Sequence, residues 1–405
     1  MTSKKWQAVA AIGTVALLAL AGCSSDVPDD AGASPGASTS PGADDASPSS
    51  DTGEQSKFFN QADYDKQLAL RSATPEGAEG KPWEQALEPA YVDTAKYKKA
   101  GPYTICFSNA ALDNPWRQVG YKNMQAEVGL HPEIKTFTVL DAEAKDDKQI
   151  SDLQSLSGKG CSAIIVSPNT TATLTPAVEK ACATGVPIIV FDRGVNTKCP
   201  VTFIHPIGGY AFGASGAEFL KEKVKPGGKI LALRILPGVD VLETRWSAAK
   251  QIFDGSELKV VGVEFSQGDA AKTKSIVSDY IQREGTIDGV WMDAGATAVP
   301  AIEAFEDAGV EVPAFVGEDQ QDFLRMWQDK KLTAISPTYP TYQWRTPVIA
   351  ALKILKGEKV PSEWILPQPT ITDTDLAQYI DTSMPPLHYA MCGCKDLPGY
   401  PQKWK

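Results

Sequence analysis

The residues best equipped for chemistry are charged and aromatic side chains set far apart in the chain: Asn114, Trp116 and Arg117, Asp192-Arg193, Arg245, Asp269, Asp293, Asp319 and, with a hydroxyl, Thr338. Carboxylates accept hydrogen bonds and guanidinium groups donate several in fixed geometry. Paired carboxylates such as Asp192 and Asp319 could also serve as acid and base in glycoside hydrolysis. Arg193 beside Asp192 should keep that carboxylate ionised, which suits binding and not proton donation. None of the expected strands leads into a GxSxG, GxxxxGK[ST] or GxGxxG motif, and no HExxH occurs. Asp141, Glu143, Asp146 and Asp147 lack the glycine and terminal glutamate of a calcium loop, and read as carboxylates at a helix N-terminus. His131, His205 and His388 are too scattered to suggest a metal centre or a triad. The set points to capture without catalysis, with no cofactor and no metal.

Cysteine supplies a second chemistry. Lys4 and Lys5, an apolar run from Ala8 to Leu20 and then Leu20-Ala21-Gly22-Cys23 form a secretion signal (1–22) with a lipid-attachment box. Cys23 would become the first mature residue and carry diacylglycerol on its sulfur. The apolar run is shorter than the roughly 20 residues a spanning helix needs. From Cys23 to about Ser56 the chain is Ser, Pro, Gly, Ala and Asp, the composition of a disordered tether. The expected location is extracytoplasmic, lipid-anchored to the cell membrane. The six other cysteines, Cys106, Cys161, Cys182, Cys199, Cys392 and Cys394, suit an oxidising compartment. At least one disulfide is expected, with a pair among Cys161, Cys182 and Cys199 favoured by proximity. Cys106, inside an apolar strand, reads as a buried thiol, and Cys392-Gly393-Cys394 as structural, paired with a distant cysteine.

These residues need a scaffold. A net charge of −11 and the absence of a basic patch argue against nucleic acid. Strands are predicted at Tyr103–Phe107, Ile134–Leu140, Ala163–Val166 and Pro187–Phe191, with helical patterns between them. The alternation restarts after Asp192, with strands at Lys229–Ile235, Lys259–Phe265, Gly289–Met292 and Pro313–Gly317. Two α/β sets of this kind predict two doubly wound parallel-sheet lobes. Ligands of such sheets bind beyond the carboxyl ends of the strands, where the charged residues above fall.

Asn114-Pro115-Trp116-Arg117, Ser167-Pro168-Asn169 and the run from Gly185 to Arg193 together resemble the ribose- and galactofuranose-type periplasmic sugar-binding proteins. The resemblance continues through Glu318-Asp319 and Tyr339-Pro340 to Ala350–Pro361. It implies a type I periplasmic-binding fold joined by a three-crossover hinge, closing on a monosaccharide-like ligand for an ABC permease. By this resemblance Asp192 and Arg193 clamp the sugar hydroxyls. Trp116 stacks on a ring face, Arg117 donates beside it, and Arg245 and Asp319 act from the second lobe. Asn114, Asp269, Asp293 and Thr338 complete the expected ligand-binding set. Truncating Asp192 should lower affinity by about 2–5 kcal/mol and leave the stability of the open form nearly unchanged.

Where many relatives have Asp-Asn opening the second lobe, this chain has Gly208-Gly209, so a lobe contact or a helix cap is missing. The expected organisation is an N-terminal extension, 57–100, packing on one lobe; an N-terminal lobe of 101–205 plus about 339–365; a C-terminal lobe of 206–338 plus about 366–384; and a C-terminal extension, 385–405. The expected protein is a monomer. The alternative function is a ligand-sensing receptor of the same fold that presents bound sugar to a membrane sensor.

Overall fold

In the computed structural model, residues 58–405 are described, so the signal, Cys23 and the tether lie outside them. The first element is helix α1 (Gln61–Leu70), capped by the Asn60 side chain. After a short strand β1 (Tyr91–Val92) come β2 (Tyr103–Asn109), α2 (Pro115–Gly129), β3 (Ile134–Asp141), α3 (Asp146–Ser157), β4 (Ala163–Ser167), α4 (Thr171–Cys182), β5 (Ile188–Phe191) and β6 (Thr202–Pro206). A second set follows: α5 (Gly209–Lys223), β7 (Lys229–Arg234), α6 (Asp240–Asp254), β8 (Lys259–Phe265), α7 (Ala270–Glu284), β9 (Gly289–Met292), α8 (Ala298–Asp307), β10 (Ala314–Val316), α9 (Gln321–Lys330) and β11 (Ala334–Pro337). The chain ends through α10 (Thr346–Lys356), β12 (Val360–Pro361), β13 (Glu363–Leu366), β14 (Thr370–Ile371) and α11 (Leu376–Tyr379).

Two six-stranded sheets result. The first has the order β13-β6-β5-β4-β2-β3 and is parallel throughout. The second has the order β14-β11-β10-β9-β7-β8, with only β14 antiparallel. Helices cover both faces of the first sheet, so β4 is buried at every residue and reads as an unbroken run, Ala-Ile-Ile-Val-Ser. The chain passes between sheets three times: from β6 to α5, from β11 back to α10, and from β13 to β14. The protein has two parallel-sheet α/β lobes.

Helix α5 is missing from the sequence reading, because Gly209, Gly213 and Gly216 depress helix propensity. Packing explains them. A Cβ on Gly213 would lie 1.9 Å from the Arg245 carbonyl oxygen, and one on Gly216 would lie 2.8 Å from Val316 Cγ1. The glycines let α6 and the second sheet approach the α5 backbone directly.

The N-terminal extension touches both lobes, not one, and the C-terminal extension also reaches both. Helix α1 lies on α5, where Phe59 and Tyr64 pack around Tyr210 and Arg71 pairs with Glu218 at 2.8 Å. It also reaches the first sheet through Lys66–Glu363 at 2.9 Å, and Leu87 bridges to Ile365. Gln67 restores the missing cap: its Oε1 accepts from the Tyr210 and Ala211 amides at 2.9 and 3.2 Å. Gly208 makes this possible, since at φ +136° its Cβ would meet Gln67 Oε1 at 2.5 Å.

At the other end, the Met391 amide donates to Asp319 Oδ2 at 2.7 Å and the Gln321 amide to the His388 carbonyl at 2.9 Å, both on the second lobe. A few residues later Arg345 of the first lobe pairs with Asp396 at 2.8 Å, and Trp404 Nε1 donates to Asn123 Oδ1 at 2.8 Å. The sulfurs pair as Cys106–Cys161, Cys182–Cys199 and Cys392–Cys394. Cys106 is therefore not a free thiol here, and Cys392 pairs with its near neighbour instead of a distant cysteine. His388, Cys392 and Cys394 form the one group of potential metal ligands among the described residues, with two of its three members joined to each other.

Candidate functional site

A cavity of about 330 Å³ lies between the lobes at the carboxyl ends of the strands. Its first-lobe wall begins where β2 hands over to α2. Asn114 caps that helix by accepting from the Arg117 amide at 3.0 Å, and Pro115 opens it, placing Trp116 and Arg117 in the first turn. Trp116 Nε1 donates to the Tyr339 carbonyl at 2.8 Å, and its ring lies 5.5 Å from the rings of both Tyr339 and Trp344. The indole thus lines the cavity while holding a hinge segment.

Asp192 follows β5 with φ +70°, a left-handed conformation that Asp tolerates better than most residues. The sequence pairs Asp192 with Arg193, but the structure pairs it with Arg117. Arg117 and Asp192 approach to 3.0 Å with side chains only 4% and 3% exposed. Tyr339 donates to the other carboxylate oxygen at 3.2 Å, and Arg117 also donates to Ser167 Oγ at 3.3 Å. Burial, and then the nearby Arg193, lower the pKa of Arg117. Arg193 instead donates to the Asn169 carbonyl, leaving its buried Nε without a partner. A pair this deeply buried braces the loop as well as facing the cavity. Truncation should therefore lower stability as well as affinity, against the expectation from the sequence.

The second-lobe wall is built on α6. Arg245 donates to the Asp293 carbonyl at 2.6 Å, lies 3.7 Å from Glu318, and stacks 3.9 Å from the Phe212 ring and 4.7 Å from the Tyr339 ring. Its Nε is buried and unpartnered. Glu318 accepts from the Gly295 amide at 3.2 Å and from Tyr389 at 3.4 Å, and burial raises its pKa.

Six of the expected residues line this cavity: Asn114, Trp116, Arg117, Asp192, Arg193 and Arg245. Four do not. Asp269 is exposed and caps α7 through the Lys272 amide. Asp293 lies behind the wall, held by Arg234 at 3.3 Å and the Ile235 amide at 2.8 Å, with burial pushing its pKa up to about 7. Asp319 turns away to the Met391 amide; burial, and then Glu318, push its pKa up to about 8. Thr338 bonds the Pro369 carbonyl across two hinge crossings. Sequence reasoning passed over Glu318, Tyr339 and Tyr389, which do line the cavity. Glu318 and Tyr339 stood in stretches already marked as strand ends. Nothing local to Tyr389 signals its position.

The walls therefore offer three guanidinium groups, three carboxyl groups (Asp113, Asp192 and Glu318), two phenols and an indole. Among the described residues lining the cavity there is no Ser, Thr, Cys, His or Lys. Such walls can hold a polar molecule by hydrogen bonds and ring contacts.

A periplasmic binding protein domain family matches residues 105–359. The ribose import binding protein of Bacillus subtilis is 27% identical over 262 residues, covering 64% of this chain and 83% of the relative. A xylitol-binding protein of Mycolicibacterium smegmatis is 24% identical over 227 residues, covering 55% of this chain and 65% of the relative. Among solved structures, an ABC transporter solute binding protein of Thermobispora bispora superposes with a TM-score of 0.63 at 21% identity, over 71% of this chain and 90% of the other. A galactofuranose binding protein gives 0.60 at 18% identity, over 68% and 97%. With its two-lobed fold and the family match across most of both lobes, this chain belongs to the periplasmic binding protein family.

Proposed function

We propose that the protein is an extracytoplasmic lipoprotein that captures a monosaccharide-like ligand between its lobes and delivers it to an ABC sugar importer. The observation that carries this reading is the composition of the interlobe cavity. A sugar presents a hydroxyl edge and C–H faces, and the cavity sets Arg117, Asp192, Arg193, Arg245 and Glu318 beside Trp116 and Tyr339. Hydrogen bonds to charged groups contribute about 1.5–3 kcal/mol each, enough for micromolar capture by a few of them. The two lobes, 101–205 plus about 339–365 and 206–338 plus about 366–384, would close as units about the three crossings. The name of the Bacillus relative, a ribose import binding protein, favours transport over sensing.

Cys23 would tether the molecule to the membrane, and the three cystine pairs suit an exported protein. The test is a thermal-shift screen against pentoses, hexoses, inositols and furanoses. A ligand at 100 times its dissociation constant adds about 2.7 kcal/mol, or a rise of about 4 °C for a domain of this size. A screen in which no sugar or polyol shifts the melting curve overturns the reading.

A further inference from the structure

A second cavity of about 300 Å³ adjoins the cleft and shares Asp192, Arg193, Val241 and Tyr339 with it. The dividing line is drawn by Arg193 on one lobe and Val241 on the other, with α6 lining both spaces: Leu242 and Arg245 face the cleft, and Asp240 and Thr244 the second chamber. The chamber exists because of the N-terminal extension. Helix α1 supplies a wall through Asp63, Lys66, Gln67 and Leu70. It is fixed there by the Gln67 cap on α5 and the Lys66–Glu363 ion pair, with His205 3.1 Å from the same glutamate. Side chains at Gly208 and Gly209 would meet Gln67 and Thr244 at 2.5 and 2.0 Å, so the glycine pair and the extension fit one another.

The chamber repeats the chemistry of the cleft. Phe203, partly exposed, offers an aromatic face, while Arg193 and Thr171 can donate and Asp240 and Glu363 can accept. Its four carboxylates, Asp63, Asp192, Asp240 and Glu363, outnumber Lys66 and Arg193, which disfavours an anionic group. We propose that this extension-walled chamber is a second sugar subsite, taking the second ring of a disaccharide or glycoside whose first ring occupies the cleft. The inference rests on the sugar-binding reading and extends it from single rings to linked ones. A chamber about as large as the cleft suits a unit of the same size.

The test is calorimetric titration of the purified protein with D-ribose, D-xylose, D-galactose and D-glucose, and with xylobiose, lactose and cellobiose. The expected result is one disaccharide binding at least about tenfold tighter than its component monosaccharides, a gain of about 1.4 kcal/mol. Thr171→Trp, which fills the chamber from the first lobe, and Phe203→Val, which removes the aromatic face, should each abolish that gain and leave monosaccharide affinity within about twofold. Melting curves identify any variant that fails to fold, and the other variant then decides. Monosaccharides binding as tightly as every disaccharide, or a disaccharide preference that survives a folded variant, overturns the subsite alone. No binding by either class overturns the sugar-binding reading and the subsite with it.

Discussion

Replacing Asp192 by Ala should damage both stability and binding, and the structure gives the sizes. The carboxylate meets Arg117 at 3.0 Å with both side chains almost fully buried. Its removal leaves a guanidinium in a low-dielectric site with only the Ser167 hydroxyl, at 3.3 Å, and whatever water enters. Stranding one partner of a buried ion pair costs about 3–5 kcal/mol. Unfolding entropy near 2.1 cal/mol/K per residue, over about 350 residues, amounts to about 0.7 kcal/mol/K, so the melting temperature should fall by about 4–7 °C. Sugar affinity should fall by about 2–5 kcal/mol, read by calorimetry. Two further variants separate the contributions. Asp192→Asn tolerates the left-handed backbone and still accepts from Tyr339, so it should melt closer to wild type while binding weakly. Adding Arg117→Met to Asp192→Asn removes the stranded charge and should recover most of the stability but none of the affinity. If Asp192→Ala melts like wild type, the brace is wrong; if it melts low but binds normally, the residue has no role in capture.

Four shorter predictions follow from other parts of the molecule. Gln67→Ala removes the cap on α5 and should cost about 0.5–2 kcal/mol, with α1 cleaved first in limited proteolysis; unchanged protease resistance would count against the cap. Gly213→Ala forces α6 from α5 and should destabilise by about 1–3 kcal/mol while weakening ligand binding through Arg245, whereas normal affinity and melting would show that the contact relaxes freely. Asp319 has a folded pKa raised to about 8 against about 3.9 unfolded, so its contribution is full below about pH 4 and is lost as pH rises through 8. Asp319→Asn should therefore gain on wild type in melting temperature from pH 5 to 8.5, and parallel curves would refute this. Cys23→Ser should release the protein into the medium or leave it unprocessed, and unchanged detergent-phase partitioning would refute lipid attachment.

Much of the fold was legible because its strands are buried on both faces and its helices have separate apolar stripes, as in β4 and α3. Helix α5 was not, because its glycines serve contacts with α6 and β10 that no local pattern encodes. The first-lobe half of the site was readable because Asn114 to Arg117 and Asp192-Arg193 sit directly after strands. Their pairing was not: Arg117 and Asp192 are 75 residues apart and meet only once β2 and β5 flank β4. Asp319 was chosen over Glu318 because position along a loop does not reveal which neighbour faces the cavity. The reason Asp319 points away is the Met391 amide, supplied by a segment beyond the common fold.

That C-terminal segment has a consequence for manufacture. Among the described residues all fourteen strands precede residue 372, so a chain delivered N-terminus first can assemble both sheets before residues 389–405 arrive. Until they do, Glu318 lacks Tyr389, Asp319 lacks the Met391 amide, and Asn123 lacks Trp404. A product truncated just short of Tyr389 would keep its architecture and lose part of its cleft. The last segment thus works as a late wedge: residues 389–404 set side chains of the cleft and of α2 that the two sheets alone leave without partners.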